Sequence, residues 1–255
     1  ALTTGQLLGL TTQQFSSLST GSIKALSTLQ IRVLTSDQLN SLNSSQIAAI
    51  ETADIAALTS TQVSTLSTGQ IVALSTAQVA ALNTVQVAAL TSAQLNAMAS
   101  EDLKALTTAQ VKALTSTQLG ALTSGQVALM ETSDLAALAT DQINKLTTGA
   151  IAALTTSQAR ALTSAQLNAL SSAQLTAIET ADLAALSTTQ VSQLSAAQVA
   201  LLSTAQVVGL GTAQVKALGS AQVAAFTSAQ LNAMASEDLQ AVSYTHLRAH
   251  ETGRN

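Results

Sequence analysis

The chain has 255 residues, of which 9% are charged and 1% aromatic, with a net charge of −4 and no Trp, Pro or Cys. Without cysteine there is no disulfide stapling and no thiolate metal site. So weakly charged and slightly acidic a chain offers no footprint for a phosphate backbone, and its core must come from Leu, Val, Ile and Ala.

The sequence begins at Ala1 in mid-repeat, which suggests a piece of a longer protein. From Leu2, every eighth residue through Leu10, Leu18 and onward to Phe226, Met234 and Val242 is Leu, Ile, Met, Phe or Val, without an insertion or deletion. A strict short period means that each unit repeats its neighbour's contacts, so the expected architecture over residues 1–242 is a solenoid forming one rod-like domain.

Written from its anchor, the unit reads Leu, Ser/Thr, Ser/Thr, any, Gln, Val/Ile/Leu, any, Ala, as in Leu74 to Ala81. The large apolar places lie five and three residues apart, which would put them on opposite faces of a strand. In one continuous helix the stripe would drift by about 80° per repeat. A short helix restarted every eight residues remains. Ser75 followed by Gln78 forms a capping box, and Leu74 with Val79 forms the hydrophobic staple that sets the approach of the chain. Both recur along the chain, with Asn43, Asn83, Glu51 or Gly211 as variants at the cap place. The prediction is an all-α solenoid of capped mini-helices, one per octapeptide; the alternative is a β-solenoid. A helix of about six residues does not persist alone, so stacking must stabilise it.

Further along, five units replace Gln with Asp, at Asp54, Asp102, Asp134, Asp182 and Asp238. Each carries a Glu at the cap place (Glu51, Glu131, Glu179) or beside the Asp (Glu101, Glu237), and each follows Ile50, Met98, Met130, Ile178 or Met234 instead of Leu. With two octapeptides per coil, Asp54, Asp102, Asp134 and Asp182 would align on one side. These ten acids are the candidate divalent-cation ligands, but two carboxylates per site fall short of the roughly six to eight oxygens calcium takes. Acids near helix N-termini also complement the helix dipole and keep a neutral surface soluble. The Ser/Thr doublets supply N-caps, or else a hydroxyl ladder that meets ice or a polysaccharide. Residues 91–106 recur at 227–242 and residues 43–58 are echoed at 171–186, so the single octapeptide is the interchangeable element.

No enzyme constellation is present before residue 243, where there is no His or Cys and no glycine-rich phosphate loop, so neither catalysis nor a cofactor is expected. Thr and Gln interrupt every apolar run well short of a membrane span. From Ser243 the period fails. The string from Ser243 to Asn255 resembles a translated adapter or cloning scar, and its His246 and His250 are set aside as metal ligands.

The unit, with Ala-Leu-Thr-Thr-Ala-Gln-Val-Lys-Ala-Leu at Ala105 to Leu114, resembles octapeptide tracts of large bacterial surface proteins labelled haem-utilisation or adhesion-like. The resemblance covers residues 1–242 and implies a structural, extracellular role. It brings no haem ligand, since the repeats lack His and Cys. The same string is similar to the capped helix opening of TAL-effector repeats, but the second helix and base-reading loop are missing, so DNA reading is not implied. The expected function is a spacer, stalk or filament subunit at the cell surface that self-associates end to end or laterally. A surface glycan is a candidate partner through the hydroxyl ladder.

Overall fold

The computed structural model describes residues 2–242; the non-repeat string at 243–255 lies outside the described residues. The described residues are all-α, with no strand among them. Helices of four to six residues follow one another from α1 (Thr4–Leu8) to α29 (Ser228–Ala233), one per octapeptide.

Six residues of helix and two of extended backbone account for the strict period. In α10 (Thr76–Ala81) the N-cap Ser75 is extended, at φ −76° and ψ 158°, and the helix ends at Leu82, at φ −58° and ψ 135°. The next N-cap, Asn83, is extended again at φ −80° and ψ 166°. No described residue has a positive φ. The helices are therefore broken without left-handed glycine caps, by an extended anchor and an extended N-cap whose side chain accepts from the N3 amide.

Capping boxes form as expected. Ser75 Oγ accepts from Gln78 N at 3.3 Å while Gln78 Oε1 accepts from Ser75 N at 2.7 Å, and Asn83 forms the same pair with Gln86 at 3.0 and 2.7 Å. At Gly211 only the Gln half exists, with Gly211 N donating to Gln214 Oε1 at 2.8 Å. Glu51 departs from the expectation. Like Glu131 and Glu179, it makes no side-chain cap bond. The N3 amide of these units bonds the N-cap carbonyl instead, as Asp54 N does to Glu51 O at 3.0 Å.

The staple pairs form the core: Leu74 and Val79 are buried, and so are most of their counterparts, while Leu2 and Leu239 near the two ends of the described residues are exposed. Where Ala is replaced at the last place, Lys145, Gln193 and Leu201 are exposed, whereas Val33 and Leu129 are half-buried. That place therefore lies at the edge of the core.

The chain divides into two units, Ala1–Leu122 and Thr123–Asn255, built by the same rule. In the first, α4 (Thr28–Val33) packs on α7 (Thr52–Ala57) and α7 on α10; in the second, α17 (Thr132–Ala137) packs on α20 (Thr156–Ala161) and α20 on α23 (Thr180–Ala184). Within each unit a helix thus stacks on the third one after it, and a coil is three octapeptides. This corrects the two-octapeptide alignment of the aspartates. The number of units per coil is set by the turn between successive mini-helices, which the spacing inside one octapeptide does not encode.

Candidate functional site

The repeated polar feature is the glutamine at N3, and it reaches beyond its own helix. Gln62, 5% exposed, accepts from Thr59 N through Oε1 at 2.7 Å. Its Nε2 donates to the carbonyls of Ile31, Arg32 and Leu34 at 3.2, 3.3 and 2.8 Å. Those carbonyls belong to the C-terminal turn and anchor of a helix in the preceding coil. They are among the groups that a helix end leaves without an intrahelical partner. Gln86 repeats the contact on Ile55 and Leu58 at 2.8 and 2.7 Å. In the second unit Gln166 repeats it on Leu135 and Leu138, both at 2.8 Å. One amide caps a helix start with its oxygen and a helix end one coil away with its nitrogen.

A few asparagines add outer links of the same kind. Asn168 Nδ2 donates to Gln193 O at 2.8 Å while its Oδ1 accepts from Ser195 N at 3.2 Å. Asn96 Nδ2 reaches Ala121 O at 3.0 Å.

The five aspartates occupy the glutamine's place but bond differently. A carboxylate is an acceptor only, so it cannot supply the donor that the carbonyls take from Gln. Asp54 Oδ1 instead accepts from Thr28 Oγ1 at 2.8 Å, and Asp238 Oδ1 from Thr212 Oγ1 at 2.9 Å. Asp182 accepts likewise from the Thr156 hydroxyl. The donor in each case is the N1 threonine of the helix one coil below. Burial raises the Asp102 carboxyl above the ordinary 3.8, and the neighbouring Glu101 charge adds to the rise. Burial also raises Asp182; the Thr156 hydrogen bond opposes the rise and Glu179 adds to it.

The candidate acids are not brought together. Asp54 and Asp102 lie two coils apart in one column with Gln78 between them. Asp134 and Asp182 are separated likewise by Gln158, and Asp238 belongs to a different column from Asp182. Glu51, Glu101, Glu131, Glu179 and Glu237 remain beside their own aspartates in sequence. Among the described residues no group of three or more His, Cys, Asp or Glu is placed to hold a metal ion. An open depression of about 440 Å³ adjoins Glu51 and is lined also by Lys24, Thr52, Ser75 and Gln78. It contains one carboxylate and one ammonium group among alanines.

The hydroxyl doublets divide their work. The first member is the N-cap: Thr115 Oγ1 accepts from Gln118 N at 3.3 Å and donates to Gln118 Oε1 at 3.0 Å. The second, at N1, is exposed, as at Thr132, Thr180 and Thr204, which share one column of the second unit. Half of the ladder read from the sequence is therefore engaged in helix caps.

A family model described as the ALTTAQ repeat matches residues 18–49, 47–84, 68–100, 95–130, 127–164, 175–212 and 208–236. The chain belongs to the ALTTAQ repeat family. The matched segments run without a gap from 18 to 164 and again from 175 to 236, so ALTTAQ units account for most of the solenoid in both halves. No curated protein matches the chain. In ALTTAQ terms, the Thr-Thr doublet is the N-cap with N1, and the Gln is the residue that joins coils.

The second role of this Gln was not read from the sequence, although a signal was there. A capping box accepts Gln or Glu at N3, yet no octapeptide has Glu at that place. A glutamate would present oxygen to the carbonyls that Nε2 binds, whereas the shorter aspartate stops at the hydroxyl below. The same sequence places a threonine at N1 one coil before each of the five aspartates, at Thr28, Thr76, Thr108, Thr156 and Thr212.

Proposed function

We propose that this ALTTAQ repeat chain is a structural element, a spacer, stalk or filament-forming segment of a larger protein carried on a bacterial surface. The observation that supports this reading most is the direction of its polar chemistry. The buried glutamines bond the chain's own coils, joining successive turns instead of converging on a ligand. Proteins of this kind work by length and continuity, and the reading contains no enzymatic step. No described helix is long and apolar enough to cross a membrane, in keeping with a segment displayed outside the bilayer by other parts of a protein.

Self-association follows from the same chemistry. The Nε2 donors of one coil complement the C-terminal carbonyls of another, so two chains stack by repeating between them the contact made within each. Sedimentation over a hundredfold concentration range tests this, with growth of average mass expected and a constant monomer contradicting it. Surface location is tested by protease shaving of intact cells that make the natural full-length protein. Loss of the repeat's signal without lysis supports the reading, and complete protection overturns it.

A second reading draws on the exposed N1 hydroxyls, whose columns offer a periodic polar face to a glycan or to ice. Pull-down on insoluble polysaccharide and an ice-affinity assay, with Thr132, Thr180 and Thr204 changed together to Val, test it. Retention that falls in the variant supports recognition; absence of retention, or equal retention, removes it.

A further inference from the structure

Asn43 is the N-cap of α6 (Ser44–Ala48), extended at φ −80° and ψ 171°. It opens Asn43-Ser44-Ser45, the one place in the chain where an asparagine is followed two residues later by a hydroxyl residue. That spacing is the acceptor signature for sugar transfer to an asparagine amide. All three residues are exposed. The amide oxygen is engaged, since Oδ1 accepts from Gln46 N at 3.0 Å. Its nitrogen is left over: among the described residues neither Asn43 Nδ2 nor the Ser45 hydroxyl has a hydrogen-bond partner. Asn83 holds the same cap place and differs on both counts, because its Nδ2 donates to Ala56 O at 3.4 Å and Val85 stands where the hydroxyl would be. We propose that Asn43 is an N-glycosylation site whose sugar the folded solenoid carries without losing the helix cap.

The neighbouring coils leave room for such a group. Helix α6 packs on α3 (Thr20–Lys24) and on α9 (Thr68–Val72). At the register positions of Asn43 these coils carry Ser19 and Ser67, and at those of Ser45 they carry Gly21 and Gly69. Serine and glycine thus flank the motif on both sides, whereas Leu29 or Val85 fills the Ser45 place in other units. In the transfer, Nδ2 forms a bond to the anomeric carbon of a sugar activated as a phosphate ester. The bond from that carbon to the phosphate oxygen breaks, its electron pair leaves with the phosphate, and one Nδ2 proton passes to a base of the transferase. The product is a secondary amide, which keeps its oxygen acceptor. Oδ1 therefore continues to accept from Gln46 N, and Gln46 Nε2 keeps its bonds to Ser16 O and Leu18 O at 2.9 and 2.7 Å. The attached sugar is a bulky, solubilising group on the exposed side of the cap. Its transfer requires neither the stalk nor the filament reading, only an exposed acceptor.

Peptide mapping by mass spectrometry of the natural full-length protein, taken from cells that make it, tests the site. A saccharide on Asn43 is expected, and it should be absent from Asn43→Asp, which keeps a cap acceptor, and from Ser45→Ala, which keeps both the amide and the cap. Both variants are expected to retain the wild-type circular dichroism, so that loss of the sugar reports the motif and not misfolding. A single sugar identifies a nucleotide-activated donor and a preformed oligosaccharide a lipid-carried one; either supports the proposal. Urea unfolding before and after enzymatic removal of the saccharide should show no rise in midpoint on removal. An unmodified Asn43, a saccharide that persists in Ser45→Ala, or a midpoint that rises once the sugar is gone would overturn the proposal.

Discussion

At the scale of single residues, the N3 glutamine determines more than its helix. Gln118, 2% exposed, receives Thr115 N at 2.7 Å and donates to Val87 O and Leu90 O at 2.8 and 2.7 Å. Gln118→Leu keeps the volume but strands those partners, and a cost of about 1–3 kcal/mol per buried group left unsatisfied is expected. Gln118→Glu keeps the capping acceptor but turns oxygen toward two carbonyls. It should be worse than Leu at pH 7 and recover as the pH falls, which urea midpoints at pH 7 and pH 4.5 will show. The reverse exchange is also informative. Asp102→Gln supplies the missing donor to Ile71 and Leu74 and should stabilise by about 0.5–1.5 kcal/mol, the net worth of a hydrogen bond. Asp102 itself fixes a sign. Its folded pKa lies above the ordinary 3.8, so the folded chain holds the proton more tightly than the unfolded chain does. The resulting stability is complete below pH 3.8 and is lost as the pH rises through the folded value. Glu101→Gln, by removing the neighbouring charge, should narrow that window, as denaturation followed across pH 3 to 7 will show.

At the scale of the element, the octapeptide is a helix and its own start signal. The cap, the staple and the eight-residue spacing were all legible, because each is a local contact within one unit. The exception at Glu51 was not: the helix start there closes through the backbone, and no pattern in the neighbouring residues announces it. The unit's autonomy predicts the effect of deletions. Removing Leu106 to Ala113 leaves downstream anchors and glutamines in phase and should yield a folded chain with unchanged helicity per residue. Removing Ala113 alone shortens the spacing from Thr107 to Leu114 and puts every later unit one residue out of phase with the units before the deletion. Circular dichroism and thermal melting should separate the two clearly; equal stability would show that the octapeptide is not the folding unit.

At the scale of the molecule, the solenoid class was legible from the period but the coil was not. Within a unit, stacking of a helix on the third one after it depends on the angle turned by the extended anchor and N-cap, a quantity carried by backbone torsions such as those of Leu82 and Asn83. The sequence holds the three-octapeptide coil only indirectly, in Thr28 and Thr212 set one coil before Asp54 and Asp238 and in the avoidance of Glu at N3. The candidate acids were correctly seen as the patterned departures from the repeat. The three-octapeptide coil adds to that reading that each of them is a joint without the glutamine donor.

Glutamine joins coils of three octapeptides, and that geometry is open to a distance measurement. The chain has no cysteine of its own, so spin labels can be placed at will on exposed N1 sites. Thr52→Cys with Thr76→Cys labels positions three octapeptides apart, and Thr52→Cys with Thr68→Cys labels positions two octapeptides apart. Electron paramagnetic resonance should find the Thr52–Thr76 pair the closer, on helices packed about 8–10 Å apart, and the Thr52–Thr68 pair on different columns and farther away. A shorter distance for the Thr52–Thr68 pair would establish two octapeptides per coil and contradict the glutamine-joined architecture.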